Sequence, residues 1–201
     1  MAHRDPLGEK KALLRRALRA ERRAWPAGAR EHGRRAIARL AAERREIVSA
    51  RVLAGYMADD GEIDVGDILA DARSRGALIL LPRRRPGGGL DLAPLREPGD
   101  TTPSGPGGLR EPIAPAVAFD RLPSPRVLLA PAVAVDRLGN RLGRGGGDYD
   151  RLLAELRPAG WYLIGVCHAA HLLERVPVAP HDVRVDAVLT ESGFLSPPDA
   201  R

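Results

Sequence analysis

Short aliphatic runs alternate with segments of helical period from residue 52 to residue 190 of this 201-residue chain, and that alternation constrains the fold more than any other feature. Residues 52–57 and 77–81 read as buried strands, with a helix over 63–75 between them. Further strands are predicted at 127–130, 161–166 and 185–190, and a helix over 148–156 precedes the second of these. Parallel neighbours in a sheet need a crossover long enough to hold a helix. Strands separated by helices therefore indicate an α/β domain with a largely parallel sheet.

Two helices are expected ahead of the first strand. Asp5 followed by Pro6 has the form of an N-cap with proline at the first helical position, and Leu7, Leu14, Leu18 and Trp25 then fall on one stripe. Pro26 and Gly28 break the period, and a second helix is predicted over 29–46 with Ile37, Leu40 and Ala41 on its apolar side. Between residues 82 and 112, 14 of 31 positions are Gly or Pro, which excludes regular structure throughout, although 90–93 could form a strand. A segment of this kind is either a functional flap or a linker. Neither 1–81 nor 113–201 holds enough strands for a convincing sheet of its own. The expected organisation is one domain over 1–201 with a long Gly/Pro-rich loop and no internal repeat.

The net charge of +6 comes from the first quarter, where residues 1–50 carry 14 Lys and Arg against 6 Asp and Glu. Such a region suits nucleic acid or a phosphorylated small molecule. An aromatic content of 3% leaves little for base stacking, which argues against nucleic acid. Of the 32 basic residues only Lys10 and Lys11 are lysine, a bias shared with abundant Ala, Gly and Pro that reflects composition more than function. No apolar run approaches a membrane span, the start Met1-Ala-His-Arg-Asp-Pro lacks the apolar core of a secretory signal, and Cys167 has no partner for a disulfide. A soluble, cytoplasmic protein is expected.

The stretch Arg141-Leu-Gly-Arg-Gly-Gly-Gly-Asp-Tyr-Asp150 carries the most chemistry. Glycines let backbone amides converge on an anion, the following helix adds the positive end of its dipole, and Arg141 and Arg144 offer forked donors. A phosphate site is the favoured reading over a plain surface turn, and the missing Gly-Lys-Ser/Thr excludes a Walker A loop. Asp150 suits either a divalent ion on the phosphates or a helix-start acid stabilised by the dipole. Asp182 and Asp186, near His181, are further candidates. On the first helix Lys11, Arg15 and Arg22 border the apolar stripe, whereas Arg16, Arg19 and Arg23 point towards solvent. Glu62 and Asp64 follow the first strand, where open α/β sheets place ligands. Asp64 suits the cap of the next helix, which leaves Glu62 for a ligand. Cys167, His168 and His171 lack a matching partner motif and do not read as a metal or nucleophile site.

Taken in order, these elements resemble the 5-formyltetrahydrofolate cyclo-ligase family, also called methenyltetrahydrofolate synthetase. The series runs through Lys11-x-x-Leu14-Arg15, Glu62-Ile63-Asp64, Leu81-Pro82, Glu111-Pro112 and Pro131-Ala-Val-Ala-Val-Asp136. Its most specific member is Gly139-x-Arg141-Leu-Gly-x-Gly-x-Gly-x-Tyr149-Asp150-Arg151, and it closes with Gly165-Val166, Val176-Pro177, His181-Asp182 and Asp186. The resemblance implies a three-layer α/β/α fold and ATP- and Mg²⁺-dependent closure of 5-formyltetrahydrofolate to 5,10-methenyltetrahydrofolate through an iminophosphate. It implies ATP on Lys11, Arg15, Arg141, Leu142, Gly143, Arg144, Gly145, Gly146, Gly147, Asp148 and Tyr149. It places Mg²⁺ on Asp150 and Asp186, and folate against Met57, Glu62 and the 144–148 turn, with Arg144 and Asp150 catalytic. A monomer acting on small molecules, with no membrane or nucleic-acid partner, is expected. The alternatives are a nucleotide-binding relative that has lost catalysis or become regulatory, and a nucleic-acid-binding module. Four positions depart from the family pattern: Asp148 for tyrosine, Val65 for threonine, Val135 for phenylalanine and His171 for glutamine. All four are expected on the folate side.

Overall fold

The computed structural model describes residues 5–59, 61–97, 99–103 and 110–198. Residues 1–4 of the N-terminal reading, and 98 and 104–109 of the Gly/Pro-rich loop, lie outside the described residues.

Helix α1 (Pro6–Ala24) starts where the Asp5 carboxylate accepts a hydrogen bond from the Leu7 amide at 3.2 Å, with Pro6 in the first turn. Leu18 of its stripe is buried, Leu14 packs beside it, and Leu7 and Trp25 are half-buried. The cations predicted to border the stripe are drawn in beside it: Lys11 and Arg22 are buried, and Arg15 is half-buried. Helix α2 (Ala27–Ala42) ends earlier than predicted, and a separate turn of helix, α3 (Arg45–Val48), follows. One straight helix would rotate Ile47 about 80° away from Ile37, at roughly 100° per residue. Extended backbone at Arg44 resets that phase, and Ile37, Ala41 and Ile47 all enter one cluster.

Strand β1 (Val52–Ala54) is shorter than the predicted 52–57, because the chain turns after Gly55 and carries Tyr56, Met57 and Glu62 out of the sheet. The Asp64 carboxylate accepts from the Gly66 amide at 2.8 Å, and helix α4 (Gly66–Ser74) begins there rather than at residue 63. The Gly/Pro-rich segment is more regular than predicted. It contains the end of β2 (Leu78–Arg84), then β3 (Leu90–Pro94), β4 (Thr101–Pro103) and β5 (Arg110–Pro112), joined as antiparallel pairs β2–β3 and β4–β5. Antiparallel neighbours can be connected by tight turns, and Gly87, Gly88 and Gly89, all at positive φ, supply the one between β2 and β3. The second half adds β6 (Arg126–Pro131), β7 (Ala134–Asp136), β8 (Arg141–Leu142), α5 (Asp148–Leu156), β9 (Tyr162–Val166), β10 (Leu172–Leu173), β11 (Ala187–Thr190) and β12 (Gly193–Leu195).

Seven strands form one sheet in the order β12-β11-β9-β6-β1-β2-β3. The five central strands are parallel, and the edge strands β12 and β3 are antiparallel to their neighbours. Because β1 sits between β2 and β6, the halves on either side of the Gly/Pro-rich segment share this sheet, and that segment is not a linker between separate sheets. Side chains alternate across the sheet. Leu53, Ile79, Val127, Leu129 and Ile164 pack with α2 and α4, while Val52, Leu80, Leu128, Leu163 and Val188 pack with α5 on the other face. Each of these fully buried aliphatic side chains contributes about 1.5–3 kcal/mol. The result is the expected α/β/α sandwich. A second sheet, β10-β7-β8, lies beneath α1 and meets it through Leu18, Val133, Ala134, Leu142 and Val176.

Candidate active site

The C-terminal edge of the parallel strands opens into a cleft of about 370 Å³. Its floor is Pro131 at the end of β6, and one wall is the turn from Arg141 to Asp150 between β8 and α5. Gly145 and Gly147 have φ values of 107° and 70°, where a side chain would be strained. Gly147 is the N-cap of α5 and lines the cleft together with Asp148, Tyr149 and Asp150, so the helix starts at the cleft wall, where its first amides lack intrahelical partners. The Arg141 guanidinium is almost wholly buried beneath this turn. It donates to Asp150 Oδ1 at 2.6 Å and to the Pro131 carbonyl at 3.1 Å, and lies 5.6 Å from the centre of the Tyr149 ring.

The facing wall comes from the loop after β1, with Tyr56, Met57 and Glu62. Glu62 is 9% exposed, and its carboxylate accepts from the Asp59 amide at 3.2 Å. Burial pushes its carboxyl above the usual glutamate range, and the Arg144 charge and the Asp59 amide oppose that shift. Arg144 bridges the two walls through an ion pair with Asp59 at 2.7 Å. The Tyr149 phenol is pushed up, by burial first and then by the negative charge of Glu62. Asp148 is paired within its own helix with Arg151, three residues on.

Lys11 and Arg15 stand behind the turn rather than among the residues lining the cleft. Arg15 Nε donates to the Gly143 carbonyl at 2.7 Å, and its guanidinium feels both Asp150 and Asp182. The Lys11 ammonium is bonded to Asp182, which also accepts from the Ala179 amide at 2.7 Å. Against the desolvation of burial, the Ala179 amide and Lys11 hold the Asp182 carboxyl below its ordinary value. Arg16 is exposed as predicted, whereas Arg19 is half-buried.

Asp186 is not brought to this cleft. Its carboxylate accepts from the Leu163 amide at 2.7 Å and from Arg157 at 2.8 Å. Asp150 lies in the first turn of α5 and Arg157 just beyond its last, about 10 Å apart along the axis at ~1.5 Å per residue. The helix runs from the C-terminal edge of the sheet to the N-terminal edge, and Asp186 lies at the far end. The structure does not bring the two carboxylates together: Asp150 lines the cleft, and Asp186 is held by Leu163 and Arg157. Among the described residues, no three His, Cys, Asp or Glu side chains are grouped to hold a metal ion.

Three of the four departures also lie away from the cleft. Val65 and Val135 are fully buried in the two cores, and His171 is buried against Trp25, with ring centres 5.2 Å apart. Of the four, only Asp148 lines the cleft. Burial pushes the Cys167 thiol up to about 12, which suits an inert core residue. The site reading from sequence missed Tyr56, Pro82, Arg84, Leu90, Arg110, Glu111 and Pro131 as lining residues. Leu81-Pro82, Glu111-Pro112 and Pro131 were visible as family elements, but Arg84 and Arg110 carried no signal beyond composition.

Residues 7–191 match the 5-formyltetrahydrofolate cyclo-ligase family. The chain belongs to that family. It is 36% identical over 186 residues to the 5-formyltetrahydrofolate cyclo-ligase of Mycolicibacterium smegmatis, covering 90% of this chain and 93% of the relative. It is 32% identical over 180 residues to the Escherichia coli cyclo-ligase, covering 87% and 97%. The 5,10-methenyltetrahydrofolate synthetase structure from Aquifex aeolicus superposes with a TM-score of 0.79 at 24% identity, covering 95% of this chain and 94% of that one. The Mycoplasma pneumoniae synthetase gives 0.70 at 18% identity, covering 89% and 97%. These two structures establish the shared cyclo-ligase fold, and the sequence matches establish membership. No helix among the described residues is long and apolar enough to cross a membrane.

Proposed function

We propose that this protein closes 5-formyltetrahydrofolate to 5,10-methenyltetrahydrofolate while converting ATP to ADP and phosphate. One observation carries the reading: a single cleft joins an anion-binding wall, 141–150, to a wall bearing the buried carboxylate of Glu62, with Arg144 at the seam. The formyl oxygen attacks the terminal phosphorus of ATP and ADP leaves. N10 of the folate then attacks the activated carbon, and phosphate departs. Such chemistry asks the protein for positioning and charge neutralisation more than for a nucleophile of its own.

The amides of Gly143 to Gly147 and the start of α5 cradle the phosphates, with Arg141 pinned beneath them. Arg144 neutralises the phosphoryl group during transfer. Lys11 and Arg15 support the turn from behind and add to its positive potential. Glu62 accepts hydrogen bonds from the reduced pterin, and Met57 gives it an apolar contact. Magnesium takes one or two protein carboxylates and completes its shell with phosphate and water, a pattern that Asp150 alone fits. When bound, the ion supplies charge to the triphosphate.

The test is purified protein with MgATP and 5-formyltetrahydrofolate, following the near-ultraviolet absorbance of the methenyl product. Product should accumulate only with ATP, with one ADP per turnover. ATP binding without product would point instead to a relative that has lost catalysis.

A further inference from the structure

The hairpin β2–β3 makes a wall of the cleft that the closure chemistry leaves unused. Ala54, the last residue of β1, pairs with Leu80, so residues 81–84 of β2 run on beyond β1, paired with β3. The two-residue period of a strand turns Pro82 and Arg84 into the cleft and Arg83 away from it, where Arg83 donates to the Ala114 carbonyl at 2.7 Å. Arg84 is paired across the hairpin with Leu90, which also lines the cleft. The wall therefore passes from apolar Pro82 and Leu90 to a cation.

Arg84 differs from the other arginine on this wall. Arg110 is committed to Thr101, with Nε and Nη2 each 2.6 Å from its oxygens. Arg84 has Nε 3.4 Å from Glu111 Oε1, and its terminal nitrogens donate no hydrogen bond among the described residues. The Glu111 side chain is 14% exposed and that of Arg84 51%, so a largely buried carboxylate orients a guanidinium that still reaches solvent. That arrangement presents a fork of donors to a carboxylate.

We propose that Arg84 sets substrate specificity by gripping a carboxylate of the glutamate tail of the folate, with Pro82 and Leu90 against its flat aromatic spacer. Glu111 is a positioning residue. This inference rests on the cyclo-ligase reading and adds to it the part of the substrate that does not react.

The experiment compares 5-formyltetrahydrofolate with its pteroate counterpart, which lacks the glutamate, in the parent protein, Arg84→Ala and Arg83→Ala. The parent should show a KM about tenfold or more lower for the glutamate-bearing substrate, the scale of one charge-assisted hydrogen bond. Arg84→Ala should erase that preference while leaving kcat, the KM for ATP and the KM for the pteroate unchanged. Arg83→Ala should keep it. Equal KM values for both substrates in the parent would refute the tail contact and leave the cyclo-ligase reading standing. So would an Arg84→Ala effect on both substrates or on ATP, or loss of the preference in Arg83→Ala. No turnover of either substrate by the parent would instead remove the reading on which the contact rests, and the contact with it.

Discussion

Arg141 and Asp150 meet at 2.6 Å beneath the Gly-rich turn, so the strand entering the turn is bonded to the helix leaving it. The same guanidinium donates to Pro131 at the end of β6, and the turn is thereby pinned to the edge of the central sheet. Asp150→Asn leaves a buried cation without its counter-charge. It should cost about 3 kcal/mol of stability, read as a lower urea midpoint. An unchanged midpoint would show that the pair does not hold the turn.

The metal assignment separates two aspartates. Chelation of divalent ions should stop turnover, and magnesium should restore it. Asp150→Asn should raise the magnesium concentration needed for half-maximal rate. Asp186→Asn should leave that concentration unchanged and lower stability instead, because its carboxylate serves Leu163 and Arg157. A magnesium titration of each variant decides between one ligand and two.

Lys11 and Arg16 carry the same charge on one helix but in different surroundings. Lys11→Ala strands the Asp182 carboxylate and should cost about 1.5–3 kcal/mol, with a KM for ATP raised about tenfold. Arg16→Ala should stay within about 0.5 kcal/mol, since Arg16 is exposed. Equal losses in denaturation and in ATP kinetics would mean that the basic region acts diffusely.

Glu62 makes stability depend on pH. Burial raises its folded-state carboxyl above the ordinary value of 4.5, so the native state binds this proton more tightly than the unfolded chain does. The contribution of the protonated form is complete below 4.5 and is lost as pH rises through the raised value. Glu62→Gln cannot titrate. Its stability relative to the parent should therefore improve with pH across that window and then level off, as measured by denaturation at stepped pH. At constant pH its KM for folate should rise about tenfold while ATP affinity measured without folate stays the same. Parallel stability curves would contradict the desolvation of Glu62.

Asp148→Tyr should be tolerated or improve turnover. The Arg151 pair it removes is solvent-exposed, and such pairs are worth less than about 1 kcal/mol. Abolished folate turnover in this variant would mean that the pocket is rebuilt around Asp148.

Helix α5 was legible in full, with the predicted 148–156 observed as Asp148–Leu156, because a glycine start, acidic first turn and apolar stripe are all local signals. The Asp5-Pro6 cap and the alternation of strands and helices were legible for the same reason. The α2–α3 break was not, because it serves the phase of Ile47 against a core built from distant strands. Within the Gly/Pro-rich segment the strand at 90–93 was legible as a possibility, but β4 and β5 were hidden, since their pairing with each other, rather than their own composition, stabilises them.

Local sequence thus determined the elements, the α/β class and the anion-binding turn, since period, capping and glycine geometry act within a few residues. Tertiary structure decided which charges meet. Lys11 finds Asp182 across 171 positions, and Arg144 finds Asp59 across 85. Asp150 and Asp186 are the same residue type, each beside a regular element. Parallel strands share one direction, however, so a residue at the start of β11 and one at the start of α5 are carried to opposite edges of the sheet. Chain direction, which no side chain encodes alone, places Asp150 in the cleft and Asp186 at the other end of α5.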